Sequence, residues 1–108
     1  MYTTSQDFFE KASSFLSLSP EEELKCAVLM KSGNVEARQQ IVNSYVPFVA
    51  LYVKRHIGND APLEVIYRCL QALEKAIDTF DFSKGREQFI KLFEPILRRE
   101  ITRYIAYS

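Results

Sequence analysis

The sequence predicts an all-α protein, a compact bundle of about five helices, and three observations carry that reading. The apolar residues Leu63, Ile66, Leu70, Leu73, Ile77 and Phe80 step by three, four, three, four and three. That spacing lays them along one helical seam, and no strand can satisfy it. Ser19-Pro20-Glu21-Glu22 is a helix start, with a serine to cap, a proline tolerated at the first helical position and a carboxylate where a capping box needs one. Finally, 47% hydrophobic residues and only three glycines in 108 positions suit one helical domain, 1–108, with a single core.

The first helix falls within residues 4–16, where Phe8, Phe9, Ala12, Phe15 and Leu16 share a face and Thr4 or Ser5 can cap. The second runs from Ser19 through Leu24, Ala27, Val28 and Met30 to Lys31, with three glutamates at the positive end of its dipole, and stops at Ser32-Gly33. Asn34 caps the third, whose buried side is Ala37, Ile41, Val42, Tyr45, Phe48, Val49 and Tyr52. Pro47 removes a backbone donor inside this helix, so a kink is expected there, or a break with Ser44 recapping. Ile57-Gly58-Asn59-Asp60 reads as a turn in which Asp60 caps the fourth helix, the one carrying the seam. That helix leaves through Phe80-Asp81-Phe82-Ser83-Lys84-Gly85, where Gly85 can take the positive φ of a tight exit. The fifth helix spans about Arg86 to Tyr107 with Phe89, Leu92, Phe93, Ile96, Leu97, Ile101, Tyr104 and Ile105 inward, and Pro95 should bend it. Its amphipathic pattern is still running at the last residue, the mark expected of a domain cut from a longer chain.

Net charge is zero but unevenly spread: residues 61–82 hold two cations and four anions, residues 83–108 six cations and three anions. Such separation suits a molecule with one face for nucleic acid and another for protein. Cys26 and Cys69 stand singly, without metal or redox spacing, and read as buried or half-buried thiols. The start lacks a secretory signal and no apolar run approaches the ~20 residues of a membrane span, so a cytoplasmic protein is expected. His56, the only histidine, sits beside Lys54 and Arg55 at a helix end and reads as a solvent-facing residue favoured by the dipole. No nucleophile–base pairing, metal-ligand spacing or phosphate-cradling glycine loop is present, so neither catalytic residues nor a cofactor is expected and the chain does not read as an enzyme.

The basic final stretch is more informative. Lys84, Arg86, Lys91, Arg98, Arg99 and Arg103 are interleaved with Phe89, Phe93, Tyr104 and Tyr107. Cations neutralise phosphates and aromatics stack on bases, although a solvated amphipathic helix would show the same pattern.

From Ser19 to Ile105 the chain resembles the second conserved region of bacterial RNA polymerase sigma factors. The likeness begins with the Glu-rich cap and KSGNVEARQQIVNSYVPFVALYVKR, continues through EVIYRCLQALEKAIDTFDFSKG, and ends with ILRREITRYI. These are similar to the family's Gly-Asp/Asn-x-x-Ala-Arg opening, its Gly-Leu-x-Lys-Ala and Phe-Asp-x-Ser-Arg-Gly segments, and its Ile-Arg-x-x-Ile-Thr-Arg-x-Ile. The resemblance implies that the fourth helix binds the clamp helices of the polymerase largest subunit through Glu64, Tyr67, Arg68, Gln71 and Glu74. It implies that Lys84, Arg86, Phe89, Lys91, Arg98, Arg99, Thr102 and Arg103 face the minus-ten promoter element, with the non-template strand held single. An anti-sigma protein is a further candidate partner.

The chain also departs from the family. Tyr67-Arg68-Cys69 stands where the family has Gln-Glu-Gly, and Leu92, Pro95 and Ile96 replace the tyrosine and paired tryptophans used for melting. One extra residue lies between Gly85 and Phe89. The alternative expectation is therefore a sigma-like protein-interaction module, or a mobile-element regulator without promoter melting, using an exposed apolar edge of the fourth helix.

Overall fold

A computed structural model describes residues 2–107, the side chain of Tyr107 excepted, and within them it is all helical. The elements are α1 (Ser5–Ala12), α2 (Pro20–Lys31), α3 (Val35–His56), α4 (Leu63–Thr79), a 3-10 turn at Phe82–Lys84, and α5 (Arg86–Tyr107). Helix α3 is the centre: α1, α2 and α4 pack on it, α5 packs mainly on α4, and the 3-10 turn bridges α2 and α5.

Local chemistry starts three of these helices as expected. Thr4 Oγ1 accepts from the Asp7 N–H at 3.0 Å, and Asn34 Oδ1 from the Ala37 N–H at 2.8 Å. At α2 the reciprocal capping box is complete, with Glu22 N–H donating to Ser19 Oγ and Ser19 N–H to Glu22 Oε1. Helix α1 stops earlier than its apolar pattern. Ser13 and Ser14 turn their hydroxyls back onto the carbonyls of Glu10 and Lys11, both at 2.7 Å, which leaves Leu16 beyond the helix and exposed.

Two expectations need correction, at the start of α4 and along α5, and one of the two outcomes expected at Pro47 is ruled out. Asp60 does not cap α4; the N-cap is Pro62, with no side-chain hydrogen bond. Pro47 does not break α3, and Ser44 does not recap it, because the buried Ser44 hydroxyl instead donates to the Ile41 carbonyl at 2.7 Å. Helix α2 turns Glu23, Cys26 and Ala27 inward and leaves Leu24 and Val28 to solvent. A carboxylate can face inward there because Tyr45 donates its hydroxyl to Glu23 Oε2 at 2.6 Å. On α5, Leu92 and Ile105 are exposed, and the inward row is Phe89, Phe93, Leu97 and Ile101.

The seam on α4 is deeper than its Leu/Ile spacing indicated. Ile66, Leu73 and Ile77 are fully buried, Val65, Cys69 and Ala76 join them, and Leu63, Leu70 and Phe80 lie at its half-buried margins. Burial pushes the Cys69 thiol up to about 12, so it stays protonated and inert at neutral pH. Gly85 takes φ 88°, the left-handed geometry that admits glycine readily, and turns the chain from the 3-10 turn into α5.

Candidate functional site

Two surfaces meet along α4 and α5. On α5, Lys91, Arg98, Arg99, Thr102 and Arg103 are all exposed, and Lys84 and Arg86 are exposed at its start. Arg98, Arg99, Thr102 and Arg103 line one shallow depression together with Pro95 and Ala106. Their spacing of one, three and one residues places them on a single flank of the helix.

The cations on this flank are not equivalent. Arg98 is tied to Glu94 one turn earlier through both carboxylate oxygens, and the Tyr52 hydroxyl donates to the same carboxylate at 3.1 Å. The Arg98 hydrogen bond holds the Glu94 carboxyl below its usual range, and Glu94 in turn raises the guanidinium. Arg99 and Arg103 form no ion pair among the described residues. They are the charges an approaching phosphate would meet unneutralised.

Phe89 does not join the exposed candidates for nucleic-acid contact. Its ring is 0% exposed, 4.5 Å from Tyr45, 5.2 Å from Phe80, 5.4 Å from Phe82 and 5.7 Å from Phe93. It is the hub of an aromatic cluster, and no base can stack on it without opening the core. Phe93 is likewise buried, Tyr104 is half-buried, and the Tyr107 side chain lies outside the described residues.

On α4, Glu64, Arg68 and Gln71 are exposed, and Glu64 pairs with Arg68 at 3.2 Å. Tyr67 is half-buried: its hydroxyl accepts from the Tyr2 N–H at 3.0 Å and donates to the Tyr2 carbonyl at 3.2 Å. Glu74 is also half-buried and engaged by Arg38 of α3 at 3.3 Å, while the same guanidinium forks onto Asp78 at 2.8 and 3.0 Å. Arg68 and Gln71 border a groove between α4 and α5 whose other wall carries Ile96, Arg99 and Glu100. The two candidate surfaces are therefore continuous. Sequence reasoning missed that continuity, and with it the Tyr45–Glu23, Tyr52–Glu94 and Arg38–Asp78 pairs. Their partners lie 22, 42 and 40 residues apart, and no short motif signals a contact at such range.

Among the described residues, no helix is long and apolar enough to cross a membrane. No family model matches the chain, and no solved structure matches it. Curated relatives do. The chain is 36% identical over 90 residues to the RNA polymerase sigma factor SigA of Clostridium acetobutylicum. It is 31% identical over 90 residues to the proteins of that name from Listeria monocytogenes and Listeria innocua. Each match covers 82% of this chain and 24% of the relative, so the chain spans about a quarter of their length. An all-α bundle, matched over most of its length to one part of these proteins, is a sigma-factor-like domain.

Proposed function

We propose that this domain acts in transcription initiation in the cytoplasm, docking on core RNA polymerase through the exposed side of α4 and holding promoter DNA along α5. The unneutralised pair Arg99 and Arg103, exposed on one flank of α5 with Thr102 between them, is the observation that carries the DNA half. The polymerase half is supported by the relatives' printed name and by the exposed Glu64, Arg68 and Gln71 on the adjoining helix. With Phe89 in the core and no aromatic fully exposed on the described part of α5, the contact is phosphate-dominated, weakly sequence-selective and steeply salt-dependent.

A salt titration with a single-stranded oligonucleotide tests the DNA half. Arg99→Ala with Arg103→Ala should reduce affinity at low salt and flatten the slope of log affinity against log salt by about 1.4, roughly 0.7 for each lost single-strand phosphate contact. Binding equal to the parent at low salt would make the stripe a solvated face. Pull-down with core polymerase tests the other half. Glu64→Lys with Gln71→Ala should weaken capture while changing stability by only about half a kcal/mol, as exposed substitutions do.

A second reading, a helical protein-interaction module without a DNA role, is favoured by Val28 at 63% and Leu51 at 64% exposure. These exposed residues lie on α2 and α3, whereas on α4 the apolar Leu63 and Leu70 are half-buried. Binding that is insensitive to salt would support it.

A further inference from the structure

Arg86 stands where a cation is least welcome, at the first residue of α5, next to the positive end of the helix dipole. Two features offset that placement. Its guanidinium carbon lies 4.5 Å from the centroid of the Tyr45 ring, in cation–π geometry. The Tyr45 hydroxyl donates at 2.6 Å to the carboxylate of Glu23, a residue only 3% exposed and the one buried charged residue among those described. A phenol donating to a buried carboxylate is a charge-assisted bond, which fixes the ring and enriches its π face. The ring itself is fully buried and wedged against Phe89 at 4.5 Å, so it cannot swing away. Arg86 remains exposed on the far side of this stack, two residues from the exposed Lys84.

We propose that Glu23 and Tyr45 are positioning residues for the nucleic-acid contact: the buried carboxylate anchors the phenol, and the phenol presents the Arg86 guanidinium at the root of α5 to a DNA phosphate. The inference rests on the DNA-binding reading above and adds to it a contact supported from α2 and α3, outside the α5 stripe. Arg86 on an ordinary helix start would sample many rotamers and lose them on binding. On the ring it is held in advance, so less ordering is required when the phosphate arrives.

A double-mutant cycle read by oligonucleotide binding across a range of salt concentrations tests this. Arg86→Ala should weaken binding about three- to tenfold at low salt and lower the salt slope by about 0.7. Tyr45→Leu, which removes the platform, should cause a similar loss in the parent and none in the Arg86→Ala background. Tyr45→Phe keeps the ring but breaks its anchor to Glu23, and should cost about twofold. Circular dichroism checks that each variant is folded. Should Tyr45→Leu unfold, Tyr45→Phe gives the comparison in its place, with the loss of about twofold expected to vanish without Arg86. Equal losses in both backgrounds would assign Tyr45 a role in the fold alone and overturn the proposal. So would unchanged or tighter binding by Tyr45→Leu, since the ring would then hold Arg86 idle or away from DNA. If Arg86→Ala binds like the parent while the Arg99 and Arg103 variants do not, the positioning role falls and the DNA reading stands. No binding by the parent would remove both.

Discussion

Phe89 shows how a single side chain can be misassigned by its neighbours in sequence. Flanked by Arg86 and Lys91, and aromatic, it reads as a base-stacking residue, yet the same position belongs to the inward row Phe89, Phe93, Leu97, Ile101. Burial decided the matter, because a phenylalanine within reach of Tyr45, Phe80, Phe82 and Phe93 gains far more from the core than from an exposed edge. Phe89→Ala should therefore cost about 3–5 kcal/mol of stability, a core truncation, with any DNA effect secondary to that loss. Urea denaturation checks it, and a change below about half a kcal/mol would return Phe89 to the surface. At Glu23 the difficulty runs the other way. A glutamate in a Glu-Glu-Glu run reads as one more solvated cap charge, and only Tyr45, on another helix, makes it a core residue. Tyr45→Phe would leave that carboxylate without its donor, an expected cost of about 1–3 kcal/mol measurable in the same titration. The hydroxyl is not a physiological switch, since burial first and the Glu23 bond second push its ionisation far above neutral pH.

At the scale of elements, legibility followed locality. The capped starts of α1, α2 and α3 depend on residues three apart in sequence and were readable; the exit at Gly85 likewise. The facing of α2 was not, because small residues at Cys26 and Ala27 let it approach α3 closely while its larger Leu24 and Val28 stay outside. Nor was the tie between α3 and α4, which joins Arg38 to Glu74 and Asp78 across 36 and 40 residues. This tie has a pH signature. The Arg38 hydrogen bond lowers the Asp78 carboxyl below its usual range. Its contribution is fully present above the unfolded value of about 3.9 and is lost as pH falls through the lower, folded value. The carboxylate side chain is 49% exposed, so the contribution is of order 0.2–1 kcal/mol. Arg38→Gln should be less stable than the parent at pH 6 by about that amount, and the two should converge as the pH drops toward 2. A gap that widens in acid would contradict the assignment. For the candidate site, the individual exposed cations of α5 were legible from spacing. The Glu94–Arg98 pair, one turn apart on α5, was open to the same reading, whereas the Tyr52 hydroxyl that joins Glu94 from α3 was not.

The molecule as a whole is longer than it is wide, 40 × 24 × 21 Å, and α5 at 22 residues and ~1.5 Å per residue accounts for roughly 33 Å of helix. It is held unequally along that length. Its root is gripped by Tyr45, Phe80, Phe82 and Phe93 around Phe89, whereas Ile105 near its tip is 54% exposed. Between root and tip stands Pro95, which cannot donate to the Lys91 carbonyl. Beyond Pro95 the buried Leu97 and Ile101 still hold the helix to the core, so Arg98, Arg99 and Arg103 ride on a packed stretch. Amide exchange should accordingly stay slow from Phe89 to Ile101 and quicken only beyond Ile101, with fast exchange from Pro95 onward contradicting that grip. Cations mounted this way take their spacing from the core and not from their own long side chains: Arg86 is set against Tyr45, and Arg99 and Arg103 lie on either side of the buried Ile101.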